Sequence, residues 1–173
     1  LWGPPGVGKT TLAMIVAEQL KRPFYVLSAV SSGVKDVREV IQKAESQRFF
    51  NTPNPILFID EIHRFSKAQQ DSLLAAVEKG TVTLIGATTE NPSFEVISPL
   101  LSRCQVYVLK SQEKADLEGL IDRAVTTDFY LKEKNIVVKE KEALISFSGG
   151  DARKLLNILE LVVNAQPGPE ILI

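Results

Sequence analysis

The sequence predicts a doubly wound α/β layer with a parallel sheet, followed by a small helical domain. Short apolar segments typical of buried strands alternate with segments in which apolar residues recur every three or four positions. A glycine-rich loop at residues 3–10 leads directly into the first helical segment. After residue 110 the strand patterns give way to helical ones. We therefore predict an α/β core at residues 1–110 and a helical lid domain at residues 111–173.

The glycine-rich loop reads Gly-Pro-Pro-Gly-Val-Gly-Lys-Thr and matches the phosphate-binding pattern GxxxxGK[ST]. Its glycines let the backbone curl and point successive N–H groups at phosphate oxygens. Lys9 can reach the β- and γ-phosphates, and the Thr10 hydroxyl can bind Mg²⁺. The loop therefore predicts binding of a nucleoside triphosphate at the start of a helix, where the helix dipole favours an anion. The predicted binding residues of this segment are Gly3, Pro4, Pro5, Gly6, Val7, Gly8, Lys9, Thr10 and Thr11.

The segment after the loop has the helical pattern that a phosphate-binding loop requires, and this favours that loop over a simple glycine-proline turn. Such a loop usually follows a buried strand of about five residues, whereas only Leu1 and Trp2 precede Gly3. We therefore expect the core to be truncated within its first strand. The apolar residues at helical spacing are Leu12, Ala13, Val16, Ala17 and Leu20.

Four apolar segments are predicted to be strands of the core. Residues 24–28 are rich in strand-forming residues, and a helical pattern begins at Val34. Residues 56–59 form a continuous apolar run, which is typical of a parallel strand buried on both faces. Residues 82–87 and 105–109 complete the predicted sheet.

The remaining helices follow from spacing and end signals. Residues 68–79 are predicted to be a helix that ends before Gly80, since glycine is common just beyond a helix C-terminus. In the lid domain, an apolar stripe at residues 117–125 predicts one helix, and residues 140–147 and 151–163 predict two more.

Composition limits the classes of function. The chain has 173 residues and a net charge of −1, so any nucleic-acid contact must come from a local patch or an assembled ring. Cys104 is the only cysteine, which excludes an internal disulfide and a multi-cysteine zinc site. No apolar run reaches the roughly 18 residues that a membrane span needs. We expect a cytoplasmic protein, nucleoid-associated if bacterial.

Phe49 and Phe50 are predicted to pack in the core.

Asp60 and Glu61 follow the apolar run at residues 56–59. Because ligand groups of a parallel sheet gather at the carboxyl ends of its strands, these carboxylates are expected beside the phosphate loop. Asp60 would hold Mg²⁺ directly or through water, and Glu61 would polarise the water that attacks the γ-phosphate. The alternative is an exposed acidic turn, which the complete phosphate loop makes less favourable.

These motifs resemble a known family. The phosphate loop, followed by Thr-Leu-Ala and paired with Leu-Phe-Ile-Asp-Glu-Ile-His-Arg-Phe at residues 57–65, is similar to the AAA+ ATPases and their clamp-loader-like branch. Residues 60–71, together with Gly-Ala-Thr-Thr-Glu-Asn-Pro-Ser-Phe-Glu at residues 86–95, look like the replication-associated recombination protein A family. That family includes MgsA/RarA and the eukaryotic Werner-helicase-interacting ATPases. The resemblance runs from residue 1 to about residue 165.

The resemblance implies roles for four more residues. Thr89 or Asn91 matches the first sensor, a polar group that hydrogen-bonds the γ-phosphate or the attacking water. Arg103, in Ser-Arg-Cys, matches the arginine finger that reaches a neighbouring subunit's γ-phosphate; the alternative is a surface salt bridge. Arg153, in Gly-Asp-Ala-Arg, matches the second sensor and would contact the nucleotide, with Asp151 as the N-cap of its helix. A purely structural Arg153 is the alternative.

The resemblance also implies cofactors and partners. It implies ATP and Mg²⁺, and hydrolysis coupled to remodelling of DNA or DNA-bound proteins in replication-associated recombination and repair. It implies DNA, replication or repair proteins and further copies of the chain as partners, with no membrane. His63, Arg64 and Lys67 are candidate contacts to the DNA backbone, although an ordinary solvated loop is the alternative. Because the finger acts across a subunit interface, we expect an isolated fragment to be weakly active.

Three other functions are compatible with parts of the sequence. A nucleotide-gated binding module would use ATP with little turnover, but the chain has a complete set of catalytic residues. A Holliday-junction branch-migration motor shares Gly-Ala-Thr-Thr, but here Glu-Asn-Pro follows at residues 90–92. A small-molecule P-loop kinase fits less well, because adjacent Asp60 and Glu61 suit an ATPase that activates water.

Overall fold

The computed structural model describes residues 1–48, 53–166 and 170–172. The predicted packing of Phe49 and Phe50 lies outside these residues.

The chain divides into two compact units. Unit 1 comprises Leu1–Gly3 and Gly8–Leu109, and unit 2 comprises Pro4–Val7 and Lys110–Ile173. The main boundary therefore falls one residue before the predicted end of the core, while four residues of the phosphate loop group with unit 2. The division into an ATPase core and a lid, as functional domains, stays a prediction.

Unit 1 contains a parallel sheet in the order β1-β2-β3, with β2 in the centre. The prediction of an α/β fold with a parallel sheet is confirmed. The strands are β1 (Phe24–Ser28), β2 (Ile56–Asp60) and β3 (Thr83–Gly86). The helices are α1 (Lys9–Gln19), α2 (Val34–Arg48), α3 (Lys67–Glu78), α4 (Pro92–Glu95) and α5 (Ser98–Leu101), with a 3₁₀ helix at Ile62–Arg64.

Strand β2 is covered on both faces, as its continuous apolar sequence predicts. Residues 56–59 have no exposed surface. Because successive strand residues point to opposite faces, β2 contributes to two clusters. Leu57 packs in the cluster that includes Val37 of α2, whereas Phe58 packs with Ala13 of α1. The sheet therefore has helices on both faces.

Helix α3 begins and ends where its sequence provides caps. The Ser66 hydroxyl accepts a hydrogen bond from Gln69 N at 3.3 Å, and the Gln69 carboxamide accepts one from Ser66 N at 2.9 Å. This capping box satisfies two N–H groups that a helix start leaves unpaired. Gly80 lies just beyond the C-cap with φ 64°, as predicted.

Two predicted strands differ from the structure. The predicted strand at residues 82–87 is two residues too long, because β3 contains only the four residues Thr83–Gly86. The prediction of a strand at residues 105–109 is wrong: only Val108 forms a bridge there, and its partner is Trp2. The segment pairs with Trp2 and not with β3: Trp2 N donates to the Tyr107 carbonyl at 2.9 Å, and Leu109 N donates to the Trp2 carbonyl at 2.7 Å. Trp2 alone bridges to both Thr88 and Val108.

Unit 2 is mainly helical, as predicted for residues 111–173. Its core includes Ile121, Leu155 and Leu159, none of which has exposed surface. Two short strands pair in parallel and were not predicted, because three residues are too few to show a strand pattern. The elements are α6 (Lys114–Thr127), β4 (Asn135–Val137), α7 (Lys141–Ser148), α8 (Ala152–Ala165) and β5 (Glu170–Leu172).

Candidate nucleotide-binding and hydrolysis site

The backbone of the phosphate loop has the conformations that the sequence predicts. Gly6 and Gly8 adopt φ values of 74° and 90°, which are strained for residues with a Cβ. Gly8 is also the N-cap of α1. The loop therefore ends where the first turn of the helix begins, and the N–H groups of that turn have no acceptor within the helix. Gly3 is buried, and a Cβ there would collide with the Leu109 carbonyl oxygen. The loop thus requires glycine at three of its positions.

The side chains of the loop differ in exposure. Lys9 is only 8% exposed, and its ammonium donates a hydrogen bond to the Gly3 carbonyl at 2.8 Å. Thr10 is half-buried at the start of α1, whereas Thr11 is exposed. Pro4 and Val7 are half-buried, and Pro5 is exposed.

Helix α1 starts at the carboxyl edge of the sheet. Arg22, just beyond α1, reaches the opposite edge: its Nε donates to the Asn54 carbonyl at 2.6 Å, and an Nη donates to Thr83 Oγ1 at 2.6 Å. Asn54 and Thr83 lie at the amino ends of β2 and β3. A helix of 11 residues rises about 16 Å, close to the length of a five-residue strand. Lys9 and Thr10 are therefore carried to the end of the sheet where the strands finish.

The carboxylate of Asp60 lies at this same edge. Phe58 and Asp60 share one face of β2 because they are two residues apart. Phe58 packs with Ala13 of α1, and Lys9 lies one helical turn before Ala13 on the same helix face. The packing of α1 on β2 therefore brings the first turn of α1 and the end of β2 to one edge of unit 1.

Asp60 and Glu61 occupy a sharp turn. The Ala29 N–H donates to the Asp60 carbonyl at 3.0 Å, and Asp60 Oδ1 accepts from Glu61 N at 3.2 Å. Glu61 has φ 54° and ψ 45°, a left-handed conformation that is uncommon for a residue with a side chain. Backbone strain of this kind often accompanies functional residues.

Two residues beside Glu61 had no hydrolytic role in the sequence interpretation. His63 Nδ1 lies 3.3 Å from Glu61 Oε2 and 3.0 Å from Thr88 Oγ1. The Thr88 side chain is almost fully buried, and its hydroxyl also meets the backbone of Glu90. Thr88 lies two residues beyond β3, and its place directly after the predicted strand at residues 82–87 was the one sequence signal for it.

The two first-sensor candidates lie after β3 in different settings. Thr89 is half-buried beside Thr88. Asn91 caps α4, since its Oδ1 accepts from Ser93 N at 3.0 Å. This bond engages the Asn91 carbonyl oxygen, and the choice between Thr89 and Asn91 as first sensor stays a prediction.

Arg103 follows α5 and makes contacts within its own unit. One Nη lies 2.5 Å from Glu78 Oε1, and the other donates to the Pro99 carbonyl at 2.7 Å. The Arg103 side chain is 39% exposed. The pair has the geometry of a surface salt bridge, which contributes little stability and is easily exchanged for another acceptor.

In unit 2, Asp151 caps α8, as predicted, because its Oδ1 accepts from Lys154 N at 3.0 Å. Arg153 is exposed in the first turn of this helix. The Asp151 carboxylate also lies against Gly6, where a Cβ would collide with it. A side chain at position 6 would displace the Asp151 carboxylate, whereas the φ of 74° is what requires glycine there.

The oxygen donors of the site suit Mg²⁺. Among the residues that the structure describes, no group of three or more His, Cys, Asp or Glu side chains could hold a metal ion. Mg²⁺ does not need such a group, since it keeps several waters and binds one or two protein oxygens together with phosphate. Thr10 and Asp60 provide one hydroxyl and one carboxylate, so the donor set fits this ion.

Gln70 is a further residue that sequence reasoning missed. It is 1% exposed on α3. Its Nε2 donates to the carbonyls of Phe65 and Glu95, both at 3.0 Å, and its Oε1 accepts from Ile97 N at 2.9 Å. Gln70 thereby fixes the segment between the sensor candidates and Arg103 onto α3.

Comparison with known proteins identifies the class. Residues 1–112 match the AAA family, described as the ATPase family associated with various cellular activities. This match spans more than half of the chain, and the chain belongs to this family. The predicted class, an AAA-type ATPase with an α/β fold, is confirmed.

The relatives carry the names that the motifs suggested. The chain is 48% identical over 167 residues to replication-associated recombination protein A of Coxiella burnetii, covering 95% of this chain and 37% of that protein. It is also 48% identical to ATPase WRNIP1 of Dictyostelium discoideum, covering 95% of this chain and 19% of that protein. The resemblance to this family is confirmed, and the chain spans well under half the length of these relatives.

A solved structure supports the same architecture. The Thermotoga maritima RuvB Holliday junction branch migration motor superposes with a TM-score of 0.74 at 28% identity, covering 98% of this chain and 56% of that one.

Within the described part of the chain, no helix has the length and apolarity to cross a membrane.

Proposed function

We propose that this chain is the ATP-hydrolysing part of a machine that remodels DNA or DNA-bound proteins in replication-associated recombination and repair. One observation carries the hydrolytic part of the proposal. The packing of α1 on β2 brings the residues that begin α1 and Asp60, the last residue of β2, to one edge of unit 1, and Glu61 follows directly after Asp60. A phosphate-binding group and a water-activating group are the two components that hydrolysis of a phosphoanhydride requires.

Each residue has a defined task. The loop N–H groups and Lys9 bind the phosphates of ATP, while Thr10 and Asp60 hold Mg²⁺. When bound, the ion neutralises charge that develops on the phosphate oxygens. Glu61 orients the attacking water and accepts its proton. Thr89 hydrogen-bonds the water or the γ-phosphate.

Two arginines complete the proposed machinery. Arg103 leaves Glu78 and reaches the γ-phosphate bound to a neighbouring copy, where it stabilises the charge of the transition state. Arg153 contacts the nucleotide from unit 2, so that the position of this unit depends on whether the γ-phosphate is present. Site assembly across copies makes a homo-oligomer the active form.

The DNA-related task rests on likeness to the relatives. Their names place them in replication-associated recombination, and we propose DNA and replication or repair proteins as partners, in the cytoplasm or at the nucleoid. RuvB is a branch-migration motor, and its structural likeness favours branch migration as the second candidate. Against it, the chain is only 28% identical to that motor, whereas it is 48% identical to replication-associated recombination protein A of Coxiella burnetii.

The hydrolytic proposal is tested with two variants of the chain. Lys9→Ala should abolish ATP binding measured by calorimetry. Glu61→Gln should leave binding unchanged but slow single-turnover hydrolysis by about 10²-fold or more, the usual contribution of a positioned base. Glu45→Gln, an exposed glutamate on α2, is the matched control and should behave as the original chain. Equal hydrolysis rates for Glu61→Gln and Glu45→Gln would remove Glu61 as the base.

The proposed action on DNA is tested by measuring which DNA structure stimulates ATP hydrolysis. ATP turnover is measured without DNA and with single-stranded, duplex, gapped and four-way-junction DNA. Stimulation by gapped or single-stranded DNA would support the recombination and repair role. Stimulation by the four-way junction alone would favour the branch-migration candidate, and the absence of any stimulation would contradict both.

A further inference from the structure

The left-handed backbone of Glu61 is fixed by its neighbours. The next residue, Ile62, donates its N–H to the Ala87 carbonyl at 2.9 Å. Its side chain packs against Gly86, where an added Cβ would come within 2.9 Å of Ile62 Cδ1. The turn after β2 is thus docked onto the end of β3, which determines the direction in which the Glu61 side chain leaves the backbone. The Glu61 side chain is left 29% exposed.

The imidazole of His63 is the group that meets this carboxylate. It is 13% exposed, and its Nδ1 lies between Glu61 Oε2 and Thr88 Oγ1, at 3.3 and 3.0 Å. An ionised carboxylate can only accept hydrogen bonds. The contact is therefore attractive only if His63 Nδ1 carries a hydrogen, because the lone pair of an unprotonated Nδ1 would face a negative oxygen.

The hydrogen bonds of Thr88 agree with this requirement. Thr88 Oγ1 accepts from Glu90 N at 2.9 Å and lies 3.2 Å from the Glu90 carbonyl. If the hydroxyl hydrogen points to that carbonyl, Oγ1 presents its remaining lone pair to His63 Nδ1. A hydrogen on Nδ1 can then be shared by Thr88 and Glu61, so that each contact of Nδ1 joins a donor to an acceptor.

We propose that His63 is a positioning residue that holds the Glu61 carboxylate through its Nδ1–H, and that Thr88 orients the imidazole for this task. The inference rests on the proposed role of Glu61 in hydrolysis. It links the end of β3, where Thr89 follows Thr88, to the residue that activates water. A shift of the 88–90 backbone would move the imidazole and, through it, the carboxylate.

Substitutions at His63 distinguish the effect of the position of the hydrogen-bond donor from the effect of side-chain size. Asn places an N–H near the position of Nδ1, whereas Gln places it further out, near the position of Nε2. We expect His63→Gln and His63→Ala to lower the single-turnover rate by about 100-fold, the effect of misplacing a catalytic group by about 1 Å. His63→Asn should stay within about tenfold of the original rate, and ATP affinity should change less than twofold in all three.

Three outcomes decide the proposal. If His63→Ala does not fold, the comparison of His63→Asn with His63→Gln remains as the test. Equal rates for His63→Asn and His63→Gln would overturn it. In a Glu61→Gln background, His63→Gln should cause no further loss, since the group being positioned has been changed; an additive loss would overturn it. If Glu61→Gln hydrolyses ATP normally, the proposed function of Glu61 itself fails. Glu45→Gln, at an exposed position of α2, is the control without effect.

A second readout does not depend on activity. His63 is the only histidine of the chain, so the imidazole ¹⁵N signals report this residue alone. The proposal requires a hydrogen on Nδ1. A ring that carries its hydrogen on Nε2 alone would overturn it, whatever the kinetics show. Thr88→Val should shift the imidazole signals, while Thr88→Ser, which keeps the hydroxyl, should preserve them; identical spectra for the two would remove Thr88 from the proposal.

Discussion

Replacing Gln70 with methionine should destabilise unit 1 far more than the same replacement at an exposed glutamine would. Methionine has a similar length and helix propensity but lacks the carboxamide. The substitution would leave the Phe65 and Glu95 carbonyls and the Ile97 N–H without their present partner. Because Gln70 is 1% exposed, water cannot replace the amide without local opening.

The cost can be estimated from these three groups. A buried donor or acceptor left without a hydrogen bond costs about 1–3 kcal/mol. Taking the low end for each of the three bonds of Gln70 gives a loss of about 3 kcal/mol. That loss is a large part of the roughly 5–15 kcal/mol that stabilises a domain.

Urea denaturation followed by fluorescence of Trp2, the only tryptophan, reports on unit 1. The control is Gln42→Met on the exposed side of α2, which should change the free energy of unfolding by less than about 0.5 kcal/mol. If Gln70→Met costs no more than Gln42→Met, the inference that its amide fixes the 91–97 segment is wrong.

Two further predictions concern the proposed finger and a helix cap. Arg103→Ala should cost less than about 1 kcal/mol of stability, since its pair with Glu78 is exposed, yet it should lower turnover of the oligomer by about 10³-fold or more. Mixing it with the Lys9→Ala protein should restore part of the activity, and no restoration would place the finger within one subunit. Ser66→Ala should lower the free energy of unfolding by about 1 kcal/mol, because α3 loses its N-cap; an unchanged urea midpoint would contradict this.

The local patterns of the sequence predicted most of the fold. The loop, the buried strand β2 and the helix that ends before Gly80 each show a complete signal within about ten to fifteen residues. The segment at 105–109 has the composition of a strand, but pairing depends on a neighbour that the sequence pattern does not reveal. In the structure its neighbour is Trp2, which bridges to Val108 on one side and to Thr88 on the other.

The sequence by itself determined which chemical groups this protein possesses and at which end of the sheet they lie. A phosphate loop before a helix and two carboxylates after an apolar strand are local features, and the rules of parallel sheets place them at the same edge. Tertiary structure alone decided how His63 meets Glu61 and Thr88, and how Gln70 holds a segment 25 to 27 residues away. The contacts of Thr88 with His63 and of Gln70 with Glu95 and Ile97 join residues 25 to 27 positions apart, so no local spacing encodes them. The short contact between His63 and Glu61 depends in turn on the docking of Ile62 onto the Ala87 carbonyl.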